Sequence, residues 1–159
     1  GNHINLGLFI RPDKIPGLQI GGSFYHDRIS DFDRGPSVRL SQSIVNAHVV
    51  YNGHGYELLN EGFLIRHAYE NSTTVYNMPA FYSQISKRLG SHWRPYFRYQ
   101  YINANQDSTF NDVGLRHGPS FGSRYDFNDN VAFKLQLDHT LRRGLPDLNG
   151  LQTQLAFTF

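Results

Sequence analysis

Val131-Ala-Phe-Lys-Leu-Gln-Leu-Asp-His-Thr-Leu-Arg142 sets Val131, Phe133, Leu135, Leu137 and Leu141 on one parity and Lys134, Gln136, Asp138, Thr140 and Arg142 on the other. A period of two belongs to a β-strand with one apolar and one polar face. The stretch that follows, Gly150-Leu-Gln-Thr-Gln-Leu-Ala-Phe-Thr-Phe159, repeats the pattern and ends on an aromatic residue. Trp93, Phe97, Tyr99 and Tyr101 against Arg94, Arg98 and Gln100 repeat it again upstream.

Working outward, the alternation predicts nine strands: Ile4 to Pro12, Leu18 to Asp27, Val38 to Tyr51, Tyr56 to Tyr69, Pro79 to Leu89, Trp93 to Ala104, Gly114 to Phe127, Val131 to Leu141 and Gly150 to Phe159. Gly, Asn, Asp and Pro separate them, as in successive hairpins. Tight turns at Asn52-Gly53-His54-Gly55, Gly90-Ser91-His92 and Asn128-Asp129-Asn130 alternate with longer polar connections over Arg28 to Pro36, Glu70 to Met78, Asn105 to Val113 and Arg142 to Asn149. Strand four is mixed, with Glu61 on the side of Phe63 and Ile65, and a bulge or a neighbouring contact is expected there.

Composition removes several classes. The 159 residues fit one domain. No apolar run approaches the ~18 residues of a spanning helix. Cysteine is absent, which leaves no disulfide or thiolate site. A formal charge of +2, with no basic run longer than Arg142-Arg143, is too weak to imply nucleic acid, and no such partner is expected. No leader precedes Gly1, so a mature, trimmed or partial chain is expected.

Alternation alone fits a soluble sandwich or lipocalin-like barrel as well as a membrane wall. Two features favour the membrane: strands of ten to fourteen residues in all but the first, against the roughly 9–11 needed to cross when tilted, and Tyr51, Tyr56, Trp93, Phe127, Phe133 and Phe159 beside the tight turns, where an aromatic girdle would sit. The predicted fold is therefore all-β, an antiparallel up-and-down transmembrane β-barrel in one domain over residues 1–159. Bacterial single-chain barrels have even strand counts. Nine implies either a miscounted strand or a larger barrel of which this is the C-terminal part, and the second is preferred because alternation begins at Ile4.

The final strand resembles the C-terminal signature of bacterial outer-membrane proteins, and Gly118-Pro-Ser-Phe-Gly-Ser-Arg-Tyr-Asp-Phe127 followed by Val131-Ala-Phe-Lys-Leu-Gln136 resembles the last hairpins of the porin superfamily, including phosphate-selective porins. The resemblance implies the outer membrane of a Gram-negative bacterium and contact with its lipid. It also implies recognition of the strand ending at Phe159 by the barrel-assembly machinery, and a homotrimer. No phosphate-binding arginine ladder can be matched.

If the apolar faces meet lipid, the opposite face lines a lumen with Arg66, Arg88, Arg94, Arg98, Arg116, Arg124, Lys134, Asp138 and Arg142, together with Asp126. Cationic rings lower the cost of passing an anion, so passive diffusion of small hydrophilic solutes with an anion preference is expected. These arginines could equally pair with acids and only fill the wall. Full pairing would favour a small closed barrel acting as an adhesin or envelope anchor through its loops. His26, His48, His67, His117 and His139 lack a ligand spacing, so no metal is expected. His26-Asp27 and Asp138-His139 are sequence neighbours that point to opposite faces. An enzyme is therefore not expected, and no cofactor is needed; a cross-strand partner for a histidine at the loop end would be required to revive one.

Overall fold

The computed structural model describes residues 3–30, 39–70, 72–104 and 114–158. The terminal Phe159, the 105–113 connection, most of the first long connection and Val38 lie outside the described residues. Nine antiparallel strands form one sheet in sequence order: β1 Ile4–Ile10, β2 Leu18–Ser30, β3 Arg39–Gly53, β4 Tyr56–Tyr69, β5 Val75–Lys87, β6 Trp93–Asn103, β7 Leu115–Asn128, β8 Val131–Arg142 and β9 Leu148–Phe157. The up-and-down order follows from short connections, which can join only antiparallel neighbours. The connections 11–17, 54–55, 88–92 and 129–130 share one end of the sheet, the turn end; the remaining ones share the other, the loop end.

Two strands reach three or more residues further than the alternation suggests. Arg28-Ile29-Ser30 belongs to β2, paired with Arg39-Leu40-Ser41, rather than to the loop. Strand β5 begins at Val75, not at Pro79. Proline usually opens a strand because it cannot donate to a ladder, yet Pro79 sits inside β5 opposite Leu64 and one residue beyond the β5–β6 ladder, which pairs Ala80–Ser86 with Tyr96–Ile102. Pro95 stands just beyond the other end of that ladder, and Pro119 falls in the gap between the rungs His117–Leu141 and Ser120–Asp138 of β7–β8. Each strand proline thus keeps one neighbour and faces a missing rung on the other side. Gly118 lies in the same gap, where a Cβ would overlap the His139 carbonyl.

The β3–β4 turn is closed by His54 and Gly55, both at positive φ (53° and 74°), the signature of a type I′ hairpin. His54 tolerates this with its Nδ1 hydrogen-bonded to the Tyr51 hydroxyl at 2.8 Å. The irregularity anticipated in β4 is absent, since β4 pairs continuously with β3 and β5; a register shift occurs instead between Asp126 and Asn128, next to the Asp129-Asn130 turn.

The sheet curls. One cavity of about 390 Å³ is lined by Phe63 on β4, Ala80 on β5, Ile102 on β6, Arg116 on β7, Thr140 on β8 and Leu148 on β9. A void of that size is about 9 Å across, whereas a flat sheet would hold β4 and β9 roughly 24 Å apart at ~4.8 Å per strand. The residues that share this face therefore line a concave side. The curl stops short of closure: among the described residues β1 and β9 do not meet, and each leaves a free edge.

Gly122 shapes the concave side. The Tyr96 ring lies across it, where a Cβ would collide, and its hydroxyl donates to Gln136 Oε1 on β8 at 2.6 Å. On the convex side the neighbouring Ser123 hydroxyl is buried and has no hydrogen-bond partner among the described residues. Gly122→Val should displace Tyr96 and destabilise the sheet by about 1–3 kcal/mol, whereas Ser123→Ala should be neutral or stabilising, because it removes an unsatisfied group. Urea unfolding followed by the fluorescence of Trp93, the single tryptophan, would reveal the two opposite shifts.

Candidate functional site on the concave face

Cross-strand register assigns every side chain to a face. Arg94, Arg98, Arg116, Arg124, Lys134, Asp138 and Arg142 share the concave face with Tyr96 and Gln136. Arg88, just past β5, lines concave cavities with Arg94. Arg66 differs from the expectation: it lies opposite Ser43 and Asn77 on the convex face, in line with Leu64, and is exposed. The reason is local. In β4 both sides carry large apolar residues, Leu59, Phe63 and Ile65 on the concave side and Leu58 and Leu64 on the convex, so alternation within the strand does not mark which face is inner.

The cations are held in different ways. Arg94 Nη1 meets Glu57 Oε2 at 2.9 Å across two strand spacings, with both side chains 24% exposed. Arg124 Nε meets Asp126 Oδ1 at 2.6 Å. Arg98, by contrast, donates twice to the amide oxygen of Gln84 (3.0 and 2.7 Å) and lies over the Tyr82 ring. Lys134 sits 5.0 Å over the Tyr96 ring, and Arg142 donates to the Pro146 carbonyl. The Arg88 side chain has no partner among the described residues. Neutral acceptors and ring faces orient these cations without cancelling their charge.

Register also stacks like charges. Arg94, Arg124 and Lys134 occupy consecutive positions of a single rung across β6, β7 and β8, followed by Gln154 on β9. Directly opposed like charges oppose sheet pairing, and here they concentrate positive potential at the turn end. Arg88, Arg94 and Arg124 converge there on a cavity of about 310 Å³ that also takes in His92 and Asp126.

The sequence did not reveal the other half of the face. From β2 to β5 the concave positions carry no lysine or arginine; Asp27, Glu57 and Glu61 stand there among Gln19, Gln42, Asn46, His48 and His67. Glu61 accepts from Asn46 Nδ2 at 2.7 Å. The basic half holds two acids, Asp126 and Asp138, and Asp138 accepts from Ser120 Oγ and from Gln136 Nε2 at 2.7 Å. A neutral-to-acidic wall therefore joins a basic wall at the β5–β6 seam. The odd placement of Glu61 in an apolar strand was the one signal of this available beforehand.

The histidines divide between faces: His48 and His67 lie on the concave side, His26, His117 and His139 on the convex. Among the described residues no three metal-ligating side chains gather. His26 Nδ1 does reach Ser43 Oγ across β2 and β3, at 2.9 Å near the loop end. No third group among the described residues orients the far ring nitrogen, which is what a base acting on a serine needs.

Glu57→Gln should cost about 1–2 kcal/mol, less than the loss of a fully buried pair because both partners keep some solvent. The double variant Glu57→Gln/Arg94→Gln should cost less than the sum of the singles, read by urea midpoints. Equal, additive effects would show that the contact contributes nothing to the wall. No protein-family model matches this chain, and no curated protein is significantly similar to it.

Proposed function

We propose that this sheet is part of the wall of a bacterial outer-membrane β-barrel whose lumen passes small hydrophilic solutes with a preference for anions. The observation that carries the membrane half of this reading is the convex face. Every strand exposes large apolar side chains there, among them Leu8 (74%), Phe24, Val45, Leu64, Phe81, Phe97, Phe121, Leu137 and Leu151 (66%). A continuous apolar belt across nine strands far exceeds the patch of a few hundred Å² that a water-soluble monomer carries.

The borders of the belt fit a bilayer. At the turn end Trp93, Tyr125 and Phe127 pack edge to face, and Tyr51, Tyr56, Phe133 and Phe157 flank them on the same side. At the loop end the convex face turns polar with His26, Ser43, Arg66, Asn77, His139 and Asn149. Aromatic rings and snorkelling cations are what membrane interfaces select. From Val131 to Leu141 the strand runs roughly 34 Å, or about 26 Å of height at a tilt near 40°, close to the apolar band of known barrels.

The transport half rests on the concave cations that neutral groups hold, since charge left uncompensated can attract a passing anion. This favours a solute path over a packed interior serving an adhesin or anchor, in which each arginine would meet a carboxylate. The free edges of β1 and β9 suit a barrel completed by further strands, and edges left open in a bilayer would be costly. The convex belt would meet outer-membrane lipid. Recognition by the assembly machinery through the last strand and a trimeric state belong to the same proposal. No catalysis is assigned.

The test is electrical. The native, full-length protein in a planar bilayer under a salt gradient should give stepwise conductance with an anion-side reversal potential. Replacing Arg94, Arg98 and Arg124 together by Glu should move the reversal to the cation side. Conduction with unchanged selectivity in that variant would remove these residues from the solute path, and silence after verified insertion would remove the pore.

A further inference from the structure

At the loop end of β2, β3 and β4 the convex face passes from hydrocarbon to charge in a single step. Phe24, Val45 and Leu64 share one rung, and the next convex rung toward the loops reads His26, Ser43, Arg66. Beyond it Arg28 stands opposite Ser41, which faces Ala68; beyond that, Ser30 stands opposite Arg39. Convex rungs follow one another every ~7 Å along a strand and strands lie ~4.8 Å apart. Three arginines on three adjacent strands therefore surround the small side chains of Ser41, Ser43 and Ala68, directly above the apolar belt.

Their charge is largely uncompensated. Arg39 and Arg66 are exposed, and neither side chain has a partner among the described residues. Arg28 meets one acid, Glu70, at 4.0 Å, with the two side chains 73% and 39% exposed. A contact that long and that open to solvent neutralises little. The Ser41 hydroxyl, in the middle, hydrogen-bonds no other described residue. The opposite border of the same face is built otherwise: rings predominate there, and Lys87 is held 3.5 Å over the Tyr56 ring. Aromatic rings suit the interface of any phospholipid, whereas unpaired guanidinia call for an anionic headgroup.

The chemistry narrows the headgroup. Guanidinium forks match phosphate oxygens, and a phosphomonoester offers three such oxygens and about two negative charges near neutral pH. Three arginines against the one carboxylate of Glu70 leave a matching excess of positive charge. A phosphodiester offers less of both. Free phosphate would satisfy the arginines and leave Phe24, Val45 and Leu64 uncovered, whereas acyl chains descending from the headgroup bury them.

We infer that Arg28, Arg39 and Arg66 form a docking site for a membrane lipid with a phosphomonoester headgroup, its acyl chains lying along the belt between β2 and β4. This rests on the membrane half of the proposed function and needs no conduction. It also gives Arg66 a role on the face where the register places it.

The test is native mass spectrometry of the full-length protein released from neutral-detergent micelles, titrated with dioleoyl lipids of three headgroups. One molecule of phosphatidic acid should bind saturably, at least fivefold tighter than phosphatidylglycerol and tenfold tighter than phosphatidylcholine. Inorganic phosphate at the same concentration should not displace it. The double variant Arg39→Gln/Arg66→Gln should erase the preference, and Ser41→Glu, which sets a carboxylate among the guanidinia, should weaken phosphatidic acid at least fivefold. Lys87→Gln, at the other border, should leave it unchanged. Equal binding of the three headgroups, displacement by inorganic phosphate, or a preference that survives Arg39→Gln/Arg66→Gln would each overturn the inference. Flotation with pure phosphatidylcholine vesicles reads the membrane half by itself. A protein that inserts there yet shows no headgroup preference sinks this site alone, and one that fails to insert sinks the membrane reading and the site with it.

Discussion

A single layer of strands has no second layer to bury its side chains against, and that constraint organises everything else in this molecule. Domains in water solve the problem by packing one layer on another. Here both faces must find their surroundings elsewhere, and they do so differently. The concave face gathers side chains of the same sheet by curling, bringing Glu57 to Arg94 and Tyr96 to Gln136 over an intervening strand. The convex face brings together only neighbours on the same or adjacent strands, and its belt of Leu, Phe, Val and Ile is left for a surrounding medium.

Curling requires room, and specific residues make it. Gly122 lets the Tyr96 ring lie flat over β7, and Gly21 does the same for His48 over β2, where a Cβ would meet the imidazole at 2.6 Å. Such rings laid over glycines restore the cover that a missing side chain removes. Function and curvature are linked by these positions, because the residues that bend the wall also hold its polar network. Tyr96 steadies Gln136, Gln136 steadies Asp138, and Lys134 rests on the same ring.

Much of this was legible beforehand, for a physical reason. In β6, β8 and β9 one parity is apolar and the other polar, so the strand, its faces and its concave cations could be read directly from Trp93 to Arg98 and from Val131 to Arg142. In β4 both parities carry leucines and aromatics or isoleucine, so parity could not tell Arg66 from a lumen residue. Pro79 hid the start of β5, since a proline may sit inside a strand wherever one neighbour is missing, and that depends on a register no local pattern contains. The concave cavity between β4 and β9 was invisible for the same reason. Phe63, Ala80, Ile102 and Arg116 come together only once three hairpins have set their alignment.

The prolines have one more consequence. Pro79 and Pro95 bracket the β5–β6 ladder and limit it to Ala80–Ser86, and it is at this seam that the concave face passes from its neutral-to-acidic wall to its basic one. The shortest ladder between β2 and β9 therefore coincides with the boundary between opposite potentials. A ladder this short resists bending less than its neighbours, so flattening or tightening of the wall would be taken up there, between two panels of opposite charge. The width of the space between those panels, and the field across it, are thereby tied to one short ladder rather than to the sheet as a whole.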